Sequence, residues 1–192
     1  MKNLAITLAM IAGADVAIAQ EWKIDPAHTN INFSAKYLLI SEVSGEFKKF
    51  EGEVTAAKDD WSDLKASITI DVNSISTDNA MRDKHLKSDD FFNAEKYPTI
   101  TFTSTGFRKT DKNNYILTGK LTIREVTKTI ELPVVYGGMV KDPYGNVKAG
   151  FKISGKIDRQ EFGLKYRDAA ATGEAVVSDE IKISIDAVLI RK

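Results

Sequence analysis

Apolar residues recur at every second position in segment after segment of this chain. Ile31, Phe33 and Ala35 alternate with Asn30, Asn32 and Ser34, and Leu64, Ala66, Ile68 and Ile70 alternate with Lys65, Ser67, Thr69 and Asp71. The spacing returns in Ile100 and Phe102, in Tyr115, Leu117, Leu121 and Ile123, and in Ile130, Leu132, Val134 and Tyr136. It closes the chain with Phe151, Ile153 and Ile157, then Ile181, Ile183, Ile185, Ala187 and Leu189. A period of two gives each strand one apolar and one wet face, which calls for antiparallel pairing rather than a parallel sheet buried on both sides. Polar turns part the runs at Lys109–Asn114 and at Asp142-Pro143-Tyr144-Gly145-Asn146. Val43–Ala56 adds strand with a bend or bulge expected at Gly45 and Gly52, for a total of about eight strands. One-faced strands in this number close into a barrel or a sandwich, and an eight-stranded barrel is just wide enough to fill itself or hold one ligand.

Residues 77–88 break the alternation. Thr77 and Asp78 can cap a helix, and Ala80, Met81, Lys84, Leu86 and Lys87 favour one. At 100° per residue Met81, Arg82, His85 and Leu86 share one sector. If Met81 and Leu86 dock on the barrel, Arg82 and His85 sit near its mouth. The Phe91-Phe92 pair and Tyr97-Pro98 follow at once, so this segment is expected to close one end of the barrel over a pocket.

The first residues are read as a leader. Lys2 supplies a basic start, Leu4 to Ala14 an apolar run, and Ala17-Ile18-Ala19 a small-residue cleavage site before Gln20. Residues 1–19 are then a signal peptide, residues 20–192 a single domain, and the mature protein is exported with no integral membrane segment. With 27 Lys and Arg against 27 Asp and Glu there is no basic field for nucleic acid. Cysteine is absent, which excludes thiolate metal sites, disulfides and cysteine nucleophiles. A metal site would need His28, His85 and Asp83 or Asp89, without any supporting spacing, and no nucleophile elbow or phosphate-cradling loop is present. Catalysis and cofactors are not expected.

Several motifs in order resemble the YceI-like family. They run from Trp22-Lys23-Ile24-Asp25-Pro26-Ala27-His28-Thr29 through Gly45-Glu46-Phe47, Phe50-Glu51-Gly52 and Ser74-Ile75-Ser76-Thr77. The most specific block is Arg82-Asp83-Lys84-His85-Leu86-Lys87-Ser88, Asp90-Phe91-Phe92 and Tyr97-Pro98-Thr99-Ile100-Thr101-Phe102. Gly119–Ile123, Val126-Thr127-Lys128, Arg159–Gly163 and Val177–Glu180 follow. Glu125 departs from the pattern, where the family commonly has glycine. The resemblance implies an exported bacterial protein with a lipocalin-like barrel that binds polyisoprenoids.

The expected architecture is therefore all-β, an eight-stranded antiparallel lipocalin-like β-barrel with a short capping helix. Its inward row is Phe33, Ile68, Ile70, Phe102, Leu117, Leu121, Ile123, Phe151, Ile153, Ile183 and Ile185, which either packs as a core or lines a tube for an apolar chain. Each buried methylene contributes ~0.8 kcal/mol, so a chain of about ten carbons needs no polar contact for micromolar affinity. Phe91 and Phe92, with Tyr97, either plug the mouth or gate it. Arg82, His85 and Arg159 are the candidates for a head group. The alternative for the arginines is an ion pair, Arg82 with Asp78 and Arg159 with Asp158 or a neighbouring loop acid. His28 falls on the outward parity and reads as a structural hydrogen-bonding residue. The expected partner is a small amphiphilic lipid, a polyisoprenoid or an isoprenoid quinone. A fatty acid or fatty amide, and a plugged barrel acting through its surface, are the alternatives, and a homodimer is left open.

Overall fold

A computed structural model describes residues 20–169 and 175–192; the expected leader, residues 1–19, lies outside them. The strands are β1 (Gln20–Ile24), β2 (Asn30–Tyr37), β3 (Ser41–Phe47), β4 (Phe50–Ala56), β5 (Lys65–Asp71), β6 (Ile75–Ser76), β7 (Thr99–Asp111), β8 (Asn114–Ile123), β9 (Val126–Lys141), β10 (Val147–Asp158) and β11 (Val177–Arg191). All pairings are antiparallel. The ring β1-β4-β5-β7-β8-β9-β10-β11 closes through the β1–β11 pairing, giving an eight-stranded barrel. β2, β3 and β6 extend β1, β4 and β5 toward one end, because β2 pairs with β11 and β3, and β3 pairs with β6. The all-β, lipocalin-like expectation therefore holds, with three of the eight walls each drawn as two strands.

The three interruptions have local causes. Pro26 has no N–H for the ladder, and the Asp25 side chain takes the Ala27 N–H instead, at 3.1 Å. The Thr29 hydroxyl then accepts from Val188 N at 3.0 Å and restores contact with β11. The second break falls at Lys48-Lys49, between the two glycines where a bend was expected. The third is the short 3-10 turn Val72–Ser74, and Ser74 O accepts from Lys48 N at 3.2 Å, so the second and third breaks are stitched together.

Glycine has a different task here. A Cβ on Gly45 would lie 2.4 Å from Phe33 Cζ, and one on Gly119 would lie 2.2 Å from Phe102 Cζ. Each ring lies flat over the neighbouring strand's backbone, where only glycine leaves room, instead of projecting across the barrel.

The two ends are closed differently. At one end the loop after β4 folds inward, its Asp63 carboxylate accepting from Ala57 N at 2.8 Å and Lys58 N at 3.1 Å. That places Trp61, only 3% exposed, inside the barrel end. Its ring lies 4.9 Å from Trp22 and 5.0 Å from Phe151, with Tyr136 at 5.8 Å. Phe107 stacks on Tyr115 at 4.7 Å beside them. Trp61 has φ +62, an unfavourable conformation for a bulky residue, and burial of its large ring offsets the cost.

At the other end, helix α1 (Ala80–Lys87) and the residues to Pro98 join β6 to β7. Asn79, rather than Thr77 or Asp78, caps the helix by accepting from Arg82 N at 3.0 Å. No residue of α1 is fully buried, and Met81, expected to dock on the barrel, is 83% exposed. The helix is short and rich in charge, and it turns Arg82, His85 and Leu86 to the cavity. Among the described residues no helix is long and apolar enough to cross a membrane.

Candidate functional site

An apolar cavity of about 450 Å³ occupies the barrel on the α1 side. That volume lies in the range typical of small-molecule sites. Every residue of the expected inward row lines it, along with Phe91, Phe92, Arg82, His85 and Arg159. The row divides in two by exposure. Phe102, Leu117, Leu121, Ile123 and Phe151 are buried, packed against one another and the aromatic plug. Phe33, Ile68, Ile70, Ile153, Ile183 and Ile185 face inward and are still only half-buried. Inward apolar side chains keep exposed surface only where the interior is unfilled. The barrel is thus packed along β7 and β8 and at Phe151 of β10, and hollow along β2, β5, β11 and the Ile153 part of β10.

Aromatic rings from two separate segments meet over the mouth. Phe91 is buried, 4.8 Å from Tyr166, and the His85 ring stands edge-on to both, at 5.1 and 4.9 Å. Phe92 packs edge-on against Phe47 at 6.0 Å. His85 Nε2 lies 3.0 Å from Asp90, and the Tyr166 hydroxyl donates to Asp168 at 3.3 Å. Burial, then the Asp168 charge, pushes the Tyr166 phenol above its ordinary pKa, so it stays protonated. Tyr97 does not reach the cavity; Arg124 lies over its ring, 5.4 Å from the centroid.

The arginines have unequal roles. Arg159 is 4% exposed and gives Nε to Ser178 O, Nη1 to Leu164 O and Tyr166 O, and Nη2 to Val177 O and Asp179. These contacts use all five N–H donors of the guanidinium. Burial lowers its pKa and Asp179 opposes that shift, but a group this basic remains charged. Arg159 is therefore a brace for the η2 turn (Arg159–Phe162) and the segment after it, with no donor left for a head group. Its ion-pair partner is Asp179 on β11, not Asp158.

Arg82 forms no ion pair with Asp78. It grips Thr77, with Nε to Oγ1 at 2.8 Å and Nη2 to the carbonyl at 2.8 Å. Thr77 is free to accept because its own hydroxyl and N–H donate to Asp83, at 2.6 and 2.8 Å.

His28 lies away from the cavity, as its parity implies. It meets Asp25 at 2.8 Å, and Lys148 meets the same carboxylate at 2.9 Å. The Lys148 hydrogen bond, assisted by those from His28 and Ala27, holds the Asp25 carboxyl below the ordinary carboxylate range against burial.

Sequence reasoning missed Arg124. In the two-residue turn between β8 and β9 it sits at φ +54 and sends Nη1 to Phe91 O at 3.1 Å and Gly163 O at 3.2 Å. It thereby ties the two mouth segments together. Nothing in the local pattern marks it, because its partners are carbonyls from distant segments. Tyr166 and Trp61 were missed because the rings they pack against lie far off in the sequence.

The comparisons with known proteins agree with this geometry. Residues 22–189 match the model of the YceI-like domain. Protein YceI of Escherichia coli is 37% identical over 188 residues, covering 96% of both chains. The crystal structure of Burkholderia cenocepacia BcnA superposes with a TM-score of 0.75 at 27% identity, covering 86% of this chain and 98% of that one. A polyisoprenoid binding domain from Saccharophagus degradans, at 14% identity, shares the fold with a TM-score of 0.69, over 89% of this chain and 98% of that one. A barrel of this topology, with the motif blocks placed where its mouth is built, belongs to the YceI-like family.

Proposed function

We propose that the barrel is a non-catalytic carrier that holds the tail of an isoprenoid lipid, a polyisoprenoid or an isoprenoid quinone, in its hollow half. The observation that carries this reading is the row of inward, half-buried isoleucines facing a cavity of about 450 Å³. Apolar surface left unfilled in a barrel is surface whose burial by a ligand contributes roughly 25 cal/mol per Å². The apolar lining asks for a tail without fixing its head, and the fold is one in which a relative of known structure is a polyisoprenoid binding domain. The aromatic plug at the far end and the braced segments at the mouth make entry through the α1 end the shorter route, with Phe91, Phe92 and Tyr166 opening as a gate. We further propose export to the periplasm after cleavage before Gln20, which suits a carrier moving an insoluble lipid between membranes. The test is to purify the protein from its native periplasm, confirm the N-terminus at Gln20 by intact mass, and analyse the organic extract. A stoichiometric isoprenoid lipid is expected; an extract without lipid, from protein that then takes up no isoprenoid probe, would overturn the reading.

A further inference from the structure

The cavity surface carries basic side chains and no acid. Among the described residues, Lys36, Arg82, Arg159 and His85 reach it, and not one Asp or Glu does. Over the whole chain 27 acids balance 27 Lys and Arg, so this one-sided lining is a local property. The four are not equivalent. Arg159 has every donor occupied, as described above. Lys36 stands opposite Glu42 in register on the polar side of β2 and is exposed. His85 is paired with Asp90.

Arg82 differs from all three. It is half-buried and lines the cavity with Leu86 and Phe92, and both of its acceptors are neutral oxygens of Thr77. No carboxylate oxygen of the described residues comes within 4.0 Å of its guanidinium. Asp83 is engaged with Thr77, so it fixes the arginine's acceptor without cancelling the arginine's charge. Two of the five N–H donors are used, and the remaining N–H groups have no acceptor among the described residues. A partly desolvated, unbalanced charge is costly in a folded protein unless something pairs with it. An oxyanion does so, and the guanidinium fork suits phosphate and carboxylate geometry in particular.

We propose that the occupant of the cavity is an amphiphile with an anionic oxygen head, a phosphate or a carboxylate, that docks on Arg82 while its tail follows the hollow wall. This rests on the carrier reading above and narrows it, since a neutral alcohol or quinone head would leave Arg82 unbalanced.

Equilibrium dialysis with two tail-matched pairs tests it: geranylgeranyl phosphate against geranylgeraniol, and palmitate against hexadecanol. The anionic member of at least one pair should bind about tenfold tighter or more, the discrimination expected of one charge-assisted hydrogen bond. Whichever pair shows the larger preference identifies the head. Arg82→Gln should bring the members within about threefold of each other while the alcohols keep their affinity, and Arg82→Lys should retain part of the preference. Arg108→Gln, an exposed cation distant from the mouth, should change nothing. Equal binding of both members to the natural protein would overturn the anionic head and leave the carrier intact. So would a preference that survives Arg82→Gln, or a loss of alcohol and anion in equal measure, which would make Arg82 a purely structural brace. If no member of either pair binds, the carrier reading itself fails.

Discussion

The two ends of this barrel are built from similar residues and arrive at opposite states. Both are rich in aromatic rings. At the plugged end a single loop brings Trp61 against Trp22, Tyr136 and Phe151, carried by the wall strands β1, β9 and β10. At the mouth the rings come from two separate segments, residues 77–98 and 159–169, and are joined through Arg124 and a few ring contacts among His85, Phe91 and Tyr166. A large ring packed on all sides makes a stopper; rings held by hydrogen bonds to loop carbonyls make a cover that can part. The difference lies in what surrounds the aromatics, not in how many there are.

Four tests, using five substitutions, would break or sharpen that contrast. The largest effect belongs to the plug: Trp61→Ala should cost about 3–5 kcal/mol in urea unfolding, as for other large core truncations. A smaller loss than about 1 kcal/mol would mean that the plugged end is no firmer than the mouth. Next comes Arg159→Ala, which leaves four carbonyls and Asp179 without their donor. Asp179 is 40% exposed and water can replace part of the loss, so about 2–4 kcal/mol is expected. Hydrogen exchange should rise in residues 162–168 and stay unchanged around Trp61.

The third test compares the two walls. Leu121→Trp overpacks the filled wall and should cost about 1–3 kcal/mol. Ile183→Trp points into the hollow wall, should leave stability within about 1 kcal/mol, and should abolish uptake of apolar probes. Similar costs at both positions would show that the walls do not differ.

The smallest effect concerns the outer latch of Asp25, His28 and Lys148, which serves neither end. The Asp25 pKa is lowered in the folded state, chiefly by the Lys148 hydrogen bond. A depressed carboxyl contributes stability above its unfolded pKa and loses it as pH falls through the folded value. The urea midpoint of Asp25→Asn should therefore lie modestly below that of the natural protein at neutral pH, with the gap closing below about pH 4. A gap that widened in acid would reverse the assignment.

The alternation of Ile31–Ala35, Leu117–Ile123 and Ile181–Leu189 made the barrel and its inward row legible, because parity alone decides which face of a strand is buried. Parity could not say which inward residues would touch space. That depends on Phe33 and Phe102 lying flat over Gly45 and Gly119 on adjacent strands, a matter of register. The mouth was legible as a place, since Arg82, His85, Phe91 and Phe92 stand together in the chain. The roles of its arginines were not. Arg159 looks as available as Arg82 in sequence, yet its five acceptors lie 5 to 20 residues away. Arg124 and Trp61 both have positive φ in short loops, where local propensity argues against them and tertiary contacts decide.

The central claim is that this barrel is hollow on the mouth side and takes an apolar tail there. Native mass spectrometry after incubation with geranylgeraniol tests it most directly, using the natural protein and Ile183→Trp in parallel. The account predicts one bound molecule per barrel for the natural protein and none for the variant. Equal occupancy in both, or in neither, would contradict it.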